Sequence, residues 1–412
     1  MDPSLIVVIL STLGLLLGLL LTYLIHGRHQ LGIVVSPVES PPDLATPMIS
    51  VVVPARNEAD TIRQCVENLL AQTYPNYELI VVDDRSTDAT GEILEEILRG
   101  AQHEPNGRQD DKGKPQAEQQ EHAPPLQVLA GEELPQDWAG KPHALIQGAQ
   151  IARGDWLCFV DADTFASPEL LVSAYSMAKA QGADMFTILT KQILESFWEK
   201  VVLPVVFTGL SFGFPAERVN DPEQPDAIAN GQFILIRRRV YEAIGGHGAV
   251  KDRIDEDRAL AEVVKGAGYR LVLADGRTLA RTRMYASFSE MWEGWTKNIF
   301  LGLQDRLGLL FLGASLGFIG ALGLPAWLVA GTLWWQAGGG LGAIIVTAEA
   351  SLLWIFLLWV RALVAQGFEI SPFYAFTLPI GAFIFTAMMF SSSFKVLSGE
   401  GVTWKGRRYK ER

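Results

Sequence analysis

The feature that most constrains this chain is a repeated junction in which an apolar run passes straight into carboxylates. Leu79 to Val82 leads into Asp83-Asp84-Arg85-Ser86-Thr87-Asp88, and a helical pattern begins at about Thr90. Trp156 to Val160 leads into Asp161-Ala162-Asp163, and Glu256-Asp257 opens a helical stretch that reaches Ala267. A buried strand with acids at its C-terminal edge is where open α/β sheets hold their ligands. Acids in such places are not core, because an unpartnered buried carboxylate is too costly. Asp83-Asp84 therefore implies one of two things. Either a ligand with sugar hydroxyls, base N–H groups or a cation sits there, or the cluster is an acidic turn in which Ser86 or Asp88 caps the next helix.

The surrounding pattern supports a sheet. Ile49 to Val53 reads as a strand, followed by Pro54-Ala55-Arg56-Asn57-Glu58 and a helix from about Asp60 to Ala71. Strands follow at Gln127–Ala130, Met185–Leu189, within 227–237 and at about 270–274, with helices through Ala152, Ala180 and Ala267. Strands alternating with helices at this spacing predict an α/β fold, a mostly parallel sheet with helices on both faces. Residues 101–125 are rich in Gln, Glu and Pro without an apolar period, and read as a disordered insertion loop.

The mean hydropathy of +0.19 is high, and its source lies at the two ends. Residues 1–27 hold an uncharged run, Leu5 to Ile25, of spanning length. The start Met1-Asp2-Pro3 and a first cation only at Arg28 predict a retained anchor with its N-terminus outside and the next domain in the cytoplasm. Residues 28–48 read as a proline-rich linker and 49–300 as the catalytic domain. Within it, 197–214 is apolar, broken by Pro204, and reads as an interfacial helix. Residues 301–396 hold about three spanning stretches, near 307–335, 341–360 and 373–394, and 397–412 form a basic tail. With a cytoplasmic catalytic domain, three spans would put that tail outside, against the positive-inside tendency. The Thr377-Leu378-Pro379-Ile380-Gly381 break makes the last stretch the candidate for re-entry. A net charge of −12 argues against a nucleic-acid partner, which would require a basic face. Cys65 and Cys158 lie in apolar periodic segments, without disulfide or metal-site spacing.

In Asp161-Ala162-Asp163 the alternate side chains point the same way, so two carboxylates can converge on Mg²⁺ or Mn²⁺ held jointly with a diphosphate. Asp257 sits where a helix dipole would lower its pKa and keep it ionised, as a general base requires; alternatively it is a helix-start acid paired with Arg258 or Arg253. Lys141, in Trp138-Ala139-Gly140-Lys141, is either a diphosphate partner or a solvated lysine. Asn230-Gly231-Gln232 and Gly245-Gly246-His247 fit turn chemistry, and Trp292, Trp295 and Trp404 fit membrane-interface anchors.

Five segments, "VVVPARNEA", "ELIVVDDRSTDAT", "GDWLCFVDADT", "NGQFILIRRRVYEAIGGH" and "EDRALA", together resemble the family 2 glycosyltransferases, with their nucleotide-diphospho-sugar transferase (type A) fold. The resemblance runs from about Ile49 to Phe300. It implies that Pro54, Arg56, Glu58 and Asp84 line a nucleotide pocket and that Asp161 and Asp163 contact the sugar nucleotide and its metal. It also implies Asp257 as the base of an inverting displacement, with Lys141 helping to stabilise the leaving diphosphate. "LPQDWAGKPHAL", "MWEGWTKNIF" and "VTWKGRRY" are similar to the membrane glycosyltransferases of bacterial carotenoid and hopanoid pathways, in particular the branch that 2'-O-glycosylates myxol-type carotenoids. The Gln-x-x-Arg-Trp motif of processive synthases is missing. Trp295-Thr296-Lys297 stands in its region, which favours a single transfer, with Glu256, Trp295 and Lys297 on the acceptor or diphosphate side and Lys297 in place of the missing arginine.

The resemblance thus implies a multi-pass protein of a bacterial inner membrane, with its catalytic domain on the cytoplasmic side. Its partners would be a nucleotide-sugar donor, a lipophilic acceptor and the membrane, with no nucleic acid. A carotenoid hydroxyl is the expected acceptor, and a hopanoid, glycerolipid or polyprenyl phosphate the alternatives. A processive polysaccharide synthase and a non-catalytic sugar-nucleotide binder are the competing readings.

Overall fold

The computed structural model describes residues 6, 9, 12–14, 32–39, 46–103, 125–303, 322–398, 401–404 and 407–409. The chain forms two compact units. One comprises Gly32–Gln192 and Ala216–Arg283; the other comprises Met1–Leu31, Ile193–Pro215 and Met284–Arg412.

The first unit is built on a sheet. Its strands in chain order are β1 (Ile33–Val34), β2 (Ile49–Ala55), β3 (Tyr77–Asp83), β4 (Leu126–Ala130), β5 (Trp156–Phe159), β6 (Thr164–Ala166), β7 (Met185–Leu189), β8 (Lys191–Gln192), β9 (Ile234–Arg237), β10 (Leu271–Asp275) and β11 (Ala280–Thr282). Among the described residues eight of them form the main sheet, in the order β1-β10-β7-β9-β5-β2-β3-β4. Every neighbouring pair is parallel except those of β9, which runs antiparallel to β5 and β7. This is the expected mostly parallel α/β architecture. β2 and β3 are buried along almost their whole length, which is why they read as unbroken Val/Ile runs rather than alternating ones. Ile33–Val34 lies within the stretch read as a linker, yet it adds an edge strand to β10. The short strands β6, β11 and β8 make a second small sheet that the periodicity does not show, because two or three residues carry no period.

The reversal of β9 positions the site. Ile234, at its beginning, pairs with Phe159 and Thr187. The preceding turn, Asn230-Gly231-Gln232, therefore emerges at the edge where the parallel strands end in acids. The opposite edge is tied by a polar knot. Glu78 is fully buried and accepts hydrogen bonds from Ser50 Oγ (2.7 Å), the Arg153 amide (2.7 Å) and the Arg153 guanidinium (3.0 and 2.8 Å). Burial would push its carboxyl up, but these bonds hold it below the usual carboxylate range.

The second unit is helical. Phe197–Gly213, Phe288–Leu303, Leu324–Gln336, Gly340–Gly367 and Leu378–Ser398 are its long helices, and Val402–Trp404 pairs antiparallel with Arg407–Tyr409. Two segments, Gly340–Gly367 and Pro372–Lys395, are long and apolar enough to cross a membrane by length and composition. The expected N-terminal anchor falls almost wholly outside the described residues, and so do 307–321 of the first expected C-terminal span. The described remainder of that span, Leu324–Gln336, has 13 residues. The expected insertion loop likewise lies outside the described residues from 104 to 124.

Two sequence breaks turn out differently. Pro379 stands in the first turn of Leu378–Ser398, where a missing N–H costs nothing, so the Thr377–Gly381 break is a helix start. Gly381 instead permits a close approach, since a Cβ there would lie 2.5 Å from the Val201 carbonyl oxygen. Phe197–Gly213 starts with a capping box, Ser196 with Glu199, and runs on through Pro204. Pro204 has no N–H for the carbonyl four residues before it, that of Lys200. Arg361, 4% exposed, supplies the replacement donor, its Nη2 lying 3.0 Å from that oxygen. Arg361→Met should accordingly be more damaging, by about 1 kcal/mol, with Pro204 present than in a Pro204→Ala background. Unfolding in detergent measures both; equal losses would contradict the pairing.

Candidate active site

The loops after β2 and β3 are laced together. Asn57 N–H donates to Ser86 Oγ (3.1 Å), Thr87 N–H to Asn57 Oδ1 (2.8 Å), Glu58 N–H to Thr90 Oγ1 (2.8 Å) and Ala59 N–H to Asp88 Oδ2 (3.2 Å). This lacing holds Asn57 and Arg85 at φ of 53° and 56°, in the left-handed region that non-glycine residues seldom occupy. Asp88 accepts from Thr90 N–H (3.0 Å) and Oγ1 (2.6 Å), so of the two possible caps it is Asp88 that caps the helix Thr90–His103. Although burial pushes its carboxyl up, the bonds from Thr90 and Ala59 hold it below the ordinary range. Asp84 is not part of the cap. It is 4% exposed, and Arg56 Nη1 donates to its carbonyl at 2.6 Å and lies 4.0 Å from its carboxylate. Arg56 and Asp84 are thus brought together, with Pro54 at the end of β2 and Glu58 on the same loop as Arg56.

The second group surrounds the end of β5. The Cys65 thiol donates to the Asp161 carbonyl at 3.6 Å. Burial, with the carboxylates of Asp163, Asp161 and Glu58 near it, pushes this thiol well up. One buried sulfur therefore feels all three acids. Asp161 and Asp163 are hard oxygen donors. Among the described residues no three His, Cys, Asp or Glu side chains form a group that could hold a metal. Two carboxylates completed by substrate phosphates and water suit Mg²⁺ or Mn²⁺, so the donor set fits such an ion.

The third group adjoins the second through Asp161. The helix Gly140–Ile151 starts at the same edge and delivers Lys141, whose Nζ lies 2.6 Å from Asp161 Oδ1 and 2.7 Å from Glu256 Oε1. It is not a solvated lysine but a cation shared by two acids. Glu256 is 3% exposed and opens the helix Glu256–Gly266. Asp257, the more open of the neighbouring pair, accepts from Gly231 N–H (3.0 Å) and Arg258 N–H (2.7 Å). These bonds replace the side-chain pairing with Arg258 or Arg253; Arg258 reaches Glu262 and Arg253 reaches Asp255 instead.

Burial sets the charge states here. It pushes Lys141 down, but Asp161, Glu256 and Asp257 outweigh it and hold the ammonium charged, well above its usual range. It raises Glu256 to about 7; Lys141 pulls the carboxyl down, while Asp257 and Asp161 push it up. Asp257 is also raised by burial, against Lys141 and the two N–H bonds. The expectation of a pKa lowered by the helix terminus is thus corrected: the terminus acts in that direction, but desolvation wins.

Other residues have structural roles. His247, 1% exposed, pairs through Nδ1 with Tyr241 Oη at 2.8 Å, and burial, then Lys141, lowers it to about 3. Asn230 Nδ2 donates to the Ile188 carbonyl (2.9 Å), fixing the turn before β9. Trp295 and Lys297 belong to the helical unit. Trp295, 4% exposed, packs edge-on to Phe207 at 5.8 Å in that unit's core, so it is no exposed interface anchor; Lys297 lies half-buried on the same helix. What sequence reasoning missed was Gly231. A Cβ there would lie 2.9 Å from Lys141 Nζ and 3.1 Å from Asp257 Oδ2. The nearest signal was a glycine flanked by Asn and Gln, which reads as an ordinary turn.

The family model described as glycosyl transferase family 2 matches residues 50–113 and 119–245. Among curated proteins, the 4,4'-diaponeurosporenoate glycosyltransferase of Staphylococcus haemolyticus (strain JCSC1435) is 26% identical over 310 residues, 74% of each chain. Its namesake in Staphylococcus aureus (strain USA300) is 25% identical over 260 residues, 62% of this chain, and the match spans 61% of that relative's length. Among solved structures, the mannosyltransferase PcManGT from Pyrobaculum calidifontis, in complex with GDP-Man and Mn²⁺, aligns with a TM-score of 0.52 at 17% identity, covering 95% of this chain and 98% of that one. That likeness is one of fold.

Two outcomes test the geometry. Gly231→Ala should cut turnover by about tenfold or more, as a small misplacement of reacting groups does, with little change in melting temperature; an unimpaired enzyme would contradict the close packing. Glu256, raised from 4.5 to about 7, keeps a proton in the folded protein that the unfolded chain releases, so its contribution to stability is lost as pH rises across that window. The melting temperature of Glu256→Gln relative to wild type should therefore rise over the same window, and a pH-independent difference would contradict the assignment.

Proposed function

Given that the chain belongs to glycosyl transferase family 2, we propose that it is a membrane-bound inverting enzyme that moves one sugar from a nucleotide donor to a lipophilic acceptor. The observation that carries this reading is the single cluster at the sheet edge. Lys141 bridges Asp161 to Glu256, and the neighbouring Asp257 is positioned by Gly231. A donor side and an acceptor side are thus within one group of charges.

In this reading Pro54, Arg56, Glu58 and Asp84 hold the nucleotide, Arg56 by fixing the loop that carries Asp84. Asp161 and Asp163 would hold Mg²⁺ or Mn²⁺ jointly with the donor diphosphate. When bound, the ion would neutralise charge that grows on the leaving diphosphate. Asp257 takes the proton from the attacking hydroxyl. Its two backbone N–H bonds fix the orientation, and its raised pKa makes it a stronger base than a surface aspartate while leaving Glu256 tied to Lys141. Burial keeps water from Glu256, whereas the Lys141 side chain stays 34% exposed and open to a ligand.

The acceptor class is supported by the names of the relatives, which are carotenoid glycosyltransferases, and by two helices long enough to cross a membrane. We read the acceptor as a carotenoid, with a myxol-type hydroxyl as the specific form. The sheet unit would stand on the cytoplasmic side of a bacterial membrane. A second reading comes from the relatives' substrate name, diaponeurosporenoate, which is that of a carboxylate. A carboxylate nucleophile is already ionised and needs no base.

Asp257→Asn separates the two. For a hydroxyl acceptor, transfer should fall by at least about 100-fold while nucleotide binding, followed by calorimetry, stays near wild type. Transfer at near-wild-type rate to an acid acceptor would establish the second reading, and the same rate with a hydroxyl acceptor would overturn the base assignment.

A further inference from the structure

Lys141 touches two carboxylates that have different duties in the reading above, on which this inference rests. Asp161, at 2.6 Å, is on the metal and donor side; Glu256, at 2.7 Å, opens the helix that carries Asp257. We propose that Lys141 is a placeholder cation: it holds Asp161 until donor and metal arrive together, then exchanges Asp161 for the donor diphosphate while staying anchored on Glu256.

Three observations carry this. First, Lys141 Nζ sits at contact distance from Asp161 Oδ1, so a divalent ion arriving on that carboxylate with the ammonium still beside it is repelled by a second cation. Metal entering alone must displace Lys141 without offering it another anion. Metal entering with a diphosphate does offer one. Second, an ammonium is a compact donor with three N–H bonds on a flexible stem, so it can change one partner and keep the other. Glu256 is the fixed partner: it is 3% exposed, against 25% for the Asp161 side chain. Third, Gly231 leaves Nζ room to turn, because any Cβ there would lie 2.9 Å from it. With Asp161, Glu256 and Asp257 around one lysine, the group attracts cations, yet Lys141 stands in front of the oxygen that a metal needs. Metal and nucleotide binding are therefore coupled, and the coupling is reciprocal. Glu256 is a positioning residue in this scheme, acting through Lys141.

The test is a Mn²⁺ titration of the purified full chain, by calorimetry, without nucleotide and with saturating UDP or GDP in parallel arms. Wild type should bind Mn²⁺ at least about tenfold more tightly with the matching nucleotide. Lys141→Met should bind Mn²⁺ more tightly than wild type without nucleotide, and its nucleotide enhancement should fall by about tenfold. Unchanged or weaker nucleotide-free affinity, or an unchanged enhancement, overturns the inference. Glu256→Gln, which keeps the side-chain shape and stands in should Lys141→Met fail to fold, should also lose enhancement. Equal weakening with and without nucleotide would mean that Glu256 acts only as general charge, and would overturn its role as anchor. Wild-type protein that binds no Mn²⁺ in any arm overturns the metal-held diphosphate itself and this inference with it, whereas intact wild-type coupling with an unaltered Lys141→Met overturns the inference alone.

Discussion

One ammonium between two acids is the interaction on which the site depends. Lys141 connects the end of β5 to the start of the helix Glu256–Gly266, two elements nearly a hundred residues apart in the chain. Without it, Asp161, Glu256 and Asp257 would repel one another in a partly desolvated space, where such repulsion is expensive. With it, they form one charged group whose balance a ligand can alter. The fold provides this meeting by reversing a single strand. β9 runs against β5 and β7, so the turn before it delivers Gly231 to the acids at the ends of the parallel strands.

Much of this was legible from the chain. Acids directly after apolar runs mark strand ends, because a strand buried on both faces holds a carboxylate only where it is fully partnered, as Glu78 is. Asp84, Asp161 and Asp163 were visible in that way, and Glu256 and Asp257 as the acids that open a helical stretch. The ambiguities left were local. Ser86 and Asp88 have the same capping chemistry, and only the position of Thr90 shows that Asp88 takes the cap. For Asp257, sequence position reveals the helix terminus but not the burial that overrides it. Gly231 was invisible because its importance lies in the closeness of Lys141 and Asp257, which come from distant parts of the chain.

The helical unit was harder to read for a different reason. Its sequence is apolar throughout, so periodicity does not say which face packs, and proline and glycine look like breaks. Pro379 proves to be a helix start, Gly381 a close contact, and Pro204 a mid-helix residue whose freed carbonyl is met by Arg361. Trp295, read as an interface anchor from its indole alone, is part of that unit's core. For Gly381, Pro204 and Trp295 the deciding partner lies on another helix, and composition cannot supply it.

The central claim is that the carboxylate cluster transfers a single sugar onto a membrane lipid. It is tested most directly by mass spectrometry of lipid extracts from the producing cells with and without this protein. Without the protein, a lipid carrying one sugar should disappear and its unglycosylated precursor should accumulate in its place. An unchanged lipid profile, or the loss of a polysaccharide instead of a glycolipid, would contradict it.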